Sequence, residues 1–138
     1  AEGCSPIINA IDNNNDFIEP VIPETIAKSI AIGNPADGLN SVNLVNKTNG
    51  TGTSVSEDEI IQGIRLLAET EGIFTETAGG VVIASLIKLS RENKLSPEEK
   101  TVCLITGNGL KTPDVVSNLE TLDIDSKANN LEEILSKV

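Results

Sequence analysis

Histidine is missing from this 138-residue chain. With it go the Ser-His and Cys-His dyads, imidazole general-base chemistry and most zinc sites. Tyrosine and tryptophan are missing too, leaving Phe17 and Phe74 as the only aromatic residues. The core must therefore be aliphatic, and no aromatic platform exists for stacking nucleic-acid bases. Cysteine occurs only at Cys4 and Cys103, too few for a disulfide framework or a cysteine-rich metal site, and a bridge between the two is not expected. Basic residues are scarce: 10 Lys and Arg stand against 21 Asp and Glu, a net charge of −11. That balance argues against nucleic acid, whose phosphates need cations, and against anionic membrane surfaces. No apolar run reaches the length of a membrane span. Methionine is absent as well, and the opening Ala1-Glu2-Gly3-Cys4 is expected to belong to something longer.

What is present reads as one domain, residues 1–138, with helices alternating with short extended stretches. A 38% apolar content in Ile, Val and Leu runs is too high for intrinsic disorder. Pro23 suits a first helical turn, so Glu24 to Ala31 is expected to be a short helix. Gly33 to Gly38 reads as a turn, and Leu39 to Lys47 as a second, weaker helix. Asn46-Lys47-Thr48 and Asn49-Gly50-Thr51 match glycosylation sequons but read as a polar loop. The clearest element starts at Ser56, which forms a capping box with Glu59. Ile60, Ile61, Ile64, Leu67 and Ala68 follow on one face, and Gly72 closes the helix. Ile73-Phe74-Thr75 is a brief extended stretch. Ala78 to Asn93 is a helix whose first half, Val81-Val82-Ile83-Ala84, is apolar all round and so expected to be buried. Ser96 to Glu99 is a turn. Thr101 to Ile105 reads as a central parallel strand covered on both faces. Thr112 to Asn129 is polar and expected on the surface, and Asn130 caps a short helix carrying Leu131, Ile134, Leu135 and Val138.

Three glycine-containing junctions stand where ligands bind in open α/β folds. Thr106-Gly107-Asn108-Gly109 follows the expected strand; its hydroxyl and close-approach glycines suit a flat ligand, or form an ordinary turn. Glu76-Thr77-Ala78-Gly79-Gly80 opens the apolar helix, leaving free N–H groups and room for a ligand, or an acidic residue in its usual place. Gly33-Asn34-Pro35 could present the Asn34 amide to a substrate, or simply connect two helices. Gly3-Cys4-Ser5-Pro6 is a weak thiol cue, with no cation nearby in sequence.

Taken in order, four stretches resemble the threonine synthase family. They are Ala1 to Pro6, Pro23 to Gly38, Leu67 to Val81 (ending Glu76-Thr77-Ala78-Gly79-Gly80-Val81) and Leu104 to Lys111 (Leu-Ile-Thr-Gly-Asn-Gly-Leu-Lys). The resemblance implies fold type II of the pyridoxal-phosphate (PLP) enzymes, the tryptophan synthase β-like fold. In it this chain would be a three-layer α/β fragment with a parallel sheet, the C-terminal portion of a longer cytoplasmic enzyme. The family converts O-phospho-L-homoserine and water into L-threonine and phosphate. Thr106 resembles the hydroxyl residue that hydrogen-bonds the pyridine nitrogen of PLP. Gly107 and Asn108 would line the same ring edge, and Glu76 resembles the acidic residue near the ring. Gly33, Asn34 and Pro35 resemble a loop on the substrate side.

One departure matters. The family's cofactor-bearing lysine lies in a Ser-Phe-Lys-Asp type motif, and no such motif occurs here. Lys28, Lys47, Lys88, Lys94, Lys100, Lys111, Lys127 and Lys137 all lie in other contexts. The glycine-rich loop for the PLP phosphate is also missing. The resemblance thus implies one wall of a site, inactive alone, whose partner is the N-terminal part of the same enzyme, with self-association expected from the uncovered face. Two other readings stay open: a stand-alone domain binding a small ligand or partner chain without catalysis, and part of another fold-type II enzyme such as a dehydratase.

Overall fold

The N-terminal segment is tied down by its backbone. Glu2 donates its N–H to Val55 O at 2.8 Å, Glu24 to Gly3 O at 2.9 Å, and Val21 to Gly33 O at 3.0 Å. These distances come from a computed structural model that describes residues 1–116. The helix expected from Asn130 onward, and most of the polar segment before it, lie outside the described residues.

The first helix, α1 (Pro6–Asp12), was not foreseen from sequence. Pro6 occupies its first turn, where a fixed φ is pre-organised and no N–H is needed. Pro6 and Ala10 are buried, and the Asn13 side chain closes the end on Asn9 O at 2.8 Å.

The helix expected over Glu24–Ala31 does not form; a single 3-10 turn, Lys28–Ile30, takes its place. The backbone donors are engaged elsewhere. Glu24 N–H goes to Gly3 O, Ile26 N–H to the Glu57 carboxylate at 2.8 Å, and Ala27 N–H to Thr25 Oγ1 at 3.1 Å. Side-chain and tertiary acceptors outcompete the i→i−4 ladder in so short a segment. Next, α2 (Gly38–Lys47) runs as expected, burying Gly38 and Val42. Asn46 sits inside α2 rather than in a loop, and Asn49 follows with a φ of 52°, a value asparagine tolerates.

Helix α3 (Glu57–Glu71) carries both halves of its capping box: Ser56 Oγ accepts from Glu59 N–H, and a Glu59 carboxylate oxygen accepts from Ser56 N–H at 2.8 Å. Gly72 ends it in the left-handed region, φ 67°. Replacing Ser56 by Ala should lower stability by about 1 kcal/mol, read from urea unfolding midpoints. The hydrogen bond from the Ser56 backbone holds the Glu59 carboxyl below its ordinary 4.5, helped by the Ser56 hydroxyl. A depressed folded value means stability that is complete above 4.5 and lost as pH falls through the folded value. Glu59→Gln should flatten that acid limb while leaving the neutral-pH helix content unchanged, as circular dichroism would show.

Helix α4 (Thr77–Arg91) packs along α3. The axes approach closely because two glycines face one another. A Cβ on Gly63 would lie 2.6 Å from Gly80 O, and one on Gly80 would lie 2.7 Å from Ile60 O. Around this crossing Ala27, Val55, Ile60, Ile64 and Ala84 form the core, flanked by Ile26, Val81, Val115 and Val116. Complete burial of Ile60 contributes about 2–3 kcal/mol by area. Ile61 is half-buried and Ala68 exposed, so the apolar face of α3 is narrower than its sequence pattern.

Among the described residues there is no strand, and the arrangement is mostly helical. The run 101–105 forms no regular element, and no backbone hydrogen bond joins it to another described segment. Cys103 and Ile105 are half-buried, while Val102 and Leu104 are 75% and 71% exposed. One face is covered, not two. A strand buried on both faces needs neighbours in the sheet plane, and none is present among the described residues. Helix α4 shows a related departure: Ile83 and Ala84 are buried, but Val81, Val82, Leu86 and Leu89 are only half-buried. Cys4 and Cys103 are both free thiols.

Candidate functional site

Two segments far apart in sequence meet at the start of α4. The left-handed Gly72 turns the chain out of α3, and Phe74–Thr77 then runs antiparallel to 107–109 through a single bridge, Thr75 to Asn108. Gly107 O accepts from Glu76 N–H at 3.1 Å and from Thr75 Oγ1 at 3.0 Å. Phe74 O accepts from Gly109 N–H at 3.0 Å, and Thr112 Oγ1 accepts from Thr77 N–H at 3.3 Å. Residues Thr75, Glu76 and Thr77 are buried beneath this seam.

Glu76 is the N-cap residue of α4, yet its side chain makes no cap hydrogen bond. Its carboxylate instead faces Lys111 Nζ at 3.4 Å. The N-terminal end of α4 adds a favourable field for the negative charge. Gly107 lies directly against this carboxylate: a Cβ there would sit 1.7 Å from Glu76 Oε1. Thr77 Oγ1 is buried with no hydrogen-bond partner among the described residues.

Thr106 follows the run 101–105 and is exposed, as is Asn108. Asn108 Oδ1 accepts from Leu110 N–H at 2.9 Å, which leaves its amide N–H groups for other partners. The surface formed by 106–108 thus offers one exposed hydroxyl and one exposed amide beside one buried carboxylate. Such a set can hydrogen-bond the edge of a planar heterocycle. Among the described residues it holds no group of three or more acidic, cysteine or histidine side chains suited to a metal ion.

The structure therefore brings together Thr106, Gly107 and Asn108 with Glu76. It does not join Gly33, Asn34 and Pro35 to them by any hydrogen bond among the described residues. That loop is held by Val21: a Cβ on Gly33 would lie 1.8 Å from Val21 O. Pro35 lines an apolar pocket of about 410 Å³ with Cys4, Pro6, Ile8, Ile32 and Val81, and Asn34 is exposed. Gly79 and Gly80 do not leave space for a ligand. A Cβ on Gly79 would lie 1.9 Å from Thr75 Oγ1, and Gly80 serves the helix crossing.

Sequence reasoning missed Lys111, Thr112 and Phe74. The Phe74 ring lies under Gly109, whose Cβ would sit 2.6 Å from three ring carbons. The available signal was a cation four residues after Gly107 in a strongly acidic chain.

Comparison with known proteins places these features in a family. Residues 1–107 match the family model described as pyridoxal-phosphate dependent enzyme. A threonine synthase of Bacillus sp. (strain ULM1) is 42% identical over 134 residues, 97% of this chain and 36% of the relative. That of Methanocaldococcus jannaschii is 37% identical over 141 residues, 100% of this chain and 35% of the relative. That of Methanosarcina acetivorans is 34% identical, covering 98% of this chain and 34% of the relative. The chain spans about a third of the length of these relatives. With the match running from Ala1 through the Thr106-Gly107 turn, this chain belongs to the pyridoxal-phosphate-dependent enzyme family, whose cofactor is pyridoxal 5'-phosphate, and within it is similar to threonine synthases.

Proposed function

We propose that this chain is a single-domain C-terminal section of a threonine synthase and forms one wall of its cofactor site. The whole enzyme would convert O-phospho-L-homoserine and water into L-threonine and phosphate. The observation that carries this reading is the seam joining Thr106–Asn108 to Glu76, since it unites two sequence motifs of the family resemblance. The donor set fits the cofactor. Thr106 offers a neutral hydroxyl at an exposed position, the Asn108 amide has unspent donors, and Gly107, without a side chain, leaves room for the Glu76 carboxylate.

When bound, PLP supplies an electron sink for the substrate's carbon acid chemistry. The Thr106 hydroxyl would hold the pyridine nitrogen of the cofactor; a neutral partner there would favour a mild sink, which suits elimination and replacement. Glu76, Gly107 and Asn108 would be the residues beside the ring. Gly33, Asn34 and Pro35 would form the substrate-side loop, with Pro35 lining the apolar pocket.

The lysine that carries the cofactor, and the loop for its phosphate, would come from the N-terminal part of the same enzyme. That part would also cover the half-buried face of α4 and supply the strands flanking 101–105. Alone, this chain should be inactive. Titrating it with PLP while following visible absorbance should give no stable protein-bound band; a stable band would overturn the assignment of the lysine elsewhere. The apolar groove lined by Val82, Leu86, Leu89 and Val102 should make the isolated chain self-associate. Light scattering showing a monomer at every concentration would count against that.

A further inference from the structure

We propose that Lys111 is a positioning residue: its ammonium holds the buried Glu76 carboxylate and so keeps the 106–112 turn seated on the start of α4. The significance for catalysis rests on the reading above, that Thr106–Asn108 face the cofactor.

The turn has little to hold it in place by itself. Gly109–Lys111 is a single 3-10 turn, too short to be stable alone. The segment leading into it, 101–106, has no backbone hydrogen bond to any described neighbour. Its seat is the seam with 74–77, in which Gly107 accepts two hydrogen bonds, Thr112 accepts one and Gly109 donates one. Lys111–Glu76 is the side-chain ion pair of that seam.

The pair is lopsided in a way that gives Lys111 a defined job. The Glu76 side chain is 5% exposed, that of Lys111 62%. An ion pair between two exposed groups does little, but a carboxylate out of water, left without a cation, is a poor state for a fold. Glu76 does not cap its own helix, and Lys111 is the cation within 4 Å of it among the described residues. The carboxylate also lies where a Gly107 side chain would be. The carboxylate is thus packed against the backbone at Gly107, and a carboxylate that swings toward water gives up that contact together with the Lys111 pair. In a chain of net charge −11, a single lysine at this point has a role that an arbitrary surface cation lacks.

The test is native-state hydrogen exchange by NMR on the full 138-residue chain, comparing Lys111→Met and Lys111→Arg. In Lys111→Met, the amides of Glu76 and Gly109 should lose roughly tenfold in protection, between the small effect of exposed pairs and the large one of buried pairs. Those of α3 should be unchanged, and Lys111→Arg should restore the protection. Unchanged protection at Glu76 and Gly109 would overturn the proposal. If Lys111→Met unfolds the chain, the same question is decided in a Glu76→Gln background. There Lys111→Met should have no further effect on exchange or on the urea midpoint, and an additive loss would overturn the proposal. These readouts need no cofactor. The cofactor reading fails separately, if Thr106→Val leaves the absorbance of bound PLP unchanged in the full-length enzyme.

Discussion

Gly80→Val is expected to lower the stability of this chain by about 3 kcal/mol, the upper part of the range for overpacking a well-filled core. The reason is that the obstacle is backbone. A Cβ at Gly80 would meet Ile60 O at 2.7 Å, Ile64 Cγ1 at 2.7 Å and Ile60 Cγ2 at 3.0 Å. On the facing helix, a Cβ at Gly63 would likewise meet Gly80 O at 2.6 Å. A side chain can rotate away from a clash, but a helical carbonyl moves only with its helix. Valine would therefore force α3 and α4 apart and open the core around Ile60, Ile64 and Ala84. The gain in helix propensity on replacing glycine, at most about 1 kcal/mol, does not offset this. Gly72→Ala provides the comparison. No atom lies within 4 Å of a Cβ there, and the cost is one left-handed residue, φ 67°, about 1 kcal/mol. Urea unfolding of both variants should rank Gly80→Val well below Gly72→Ala. The reverse order would mean that the α3–α4 crossing yields more easily than its geometry indicates.

Thr106→Val is expected to leave the fold intact and to cut the catalytic efficiency of the full-length enzyme by roughly 10- to 100-fold. That range corresponds to about 1–3 kcal/mol for a hydrogen-bond acceptor deprived of its donor. Thr106 is exposed, so the isosteric change to valine meets no packing constraint. Thr106→Ser keeps the hydroxyl and should keep most of the activity. The absorbance of bound PLP should shift in the valine variant and not in the serine one. Gly107→Ala should act differently. Its new methyl would displace the Glu76 carboxylate, the far end of a side chain rather than backbone. The expected result is a disturbed site with a modest stability change. If Thr106→Val and wild type have the same kcat and KM, the hydroxyl has no contact with the ring.

Much of the helical framework was legible from sequence because its signals are local. The α2 range matched within one residue, and the turn at Ser96–Glu99 formed with Ser96 accepting two backbone bonds. The missed or mistaken elements share a cause. Residues 24–31 had a helix-compatible pattern, but Gly3 O and the Glu57 carboxylate, distant in sequence, claimed their donors. The run 101–105 had a strand-like composition, but a strand exists only through its neighbours. The site divides the same way. Thr106-Gly107-Asn108 and Glu76 were readable as motifs, whereas Lys111, Thr112 and Phe74 matter only because the seam brings them alongside.

By itself, the sequence determined where α3 begins and ends, because Ser56, Glu59 and Gly72 act on backbone groups within four residues of themselves. It also determined which chemistry is closed to this chain, since no arrangement in space supplies a missing histidine. The tertiary structure alone decided that Glu76 faces Lys111 across a 35-residue separation and that Gly63 meets Gly80. It also decided that no hydrogen bond joins 33–35 to 106–108 among the described residues. These are distances between segments far apart along the chain, set by how close two helix backbones can come and by which backbone donors remain free once they have.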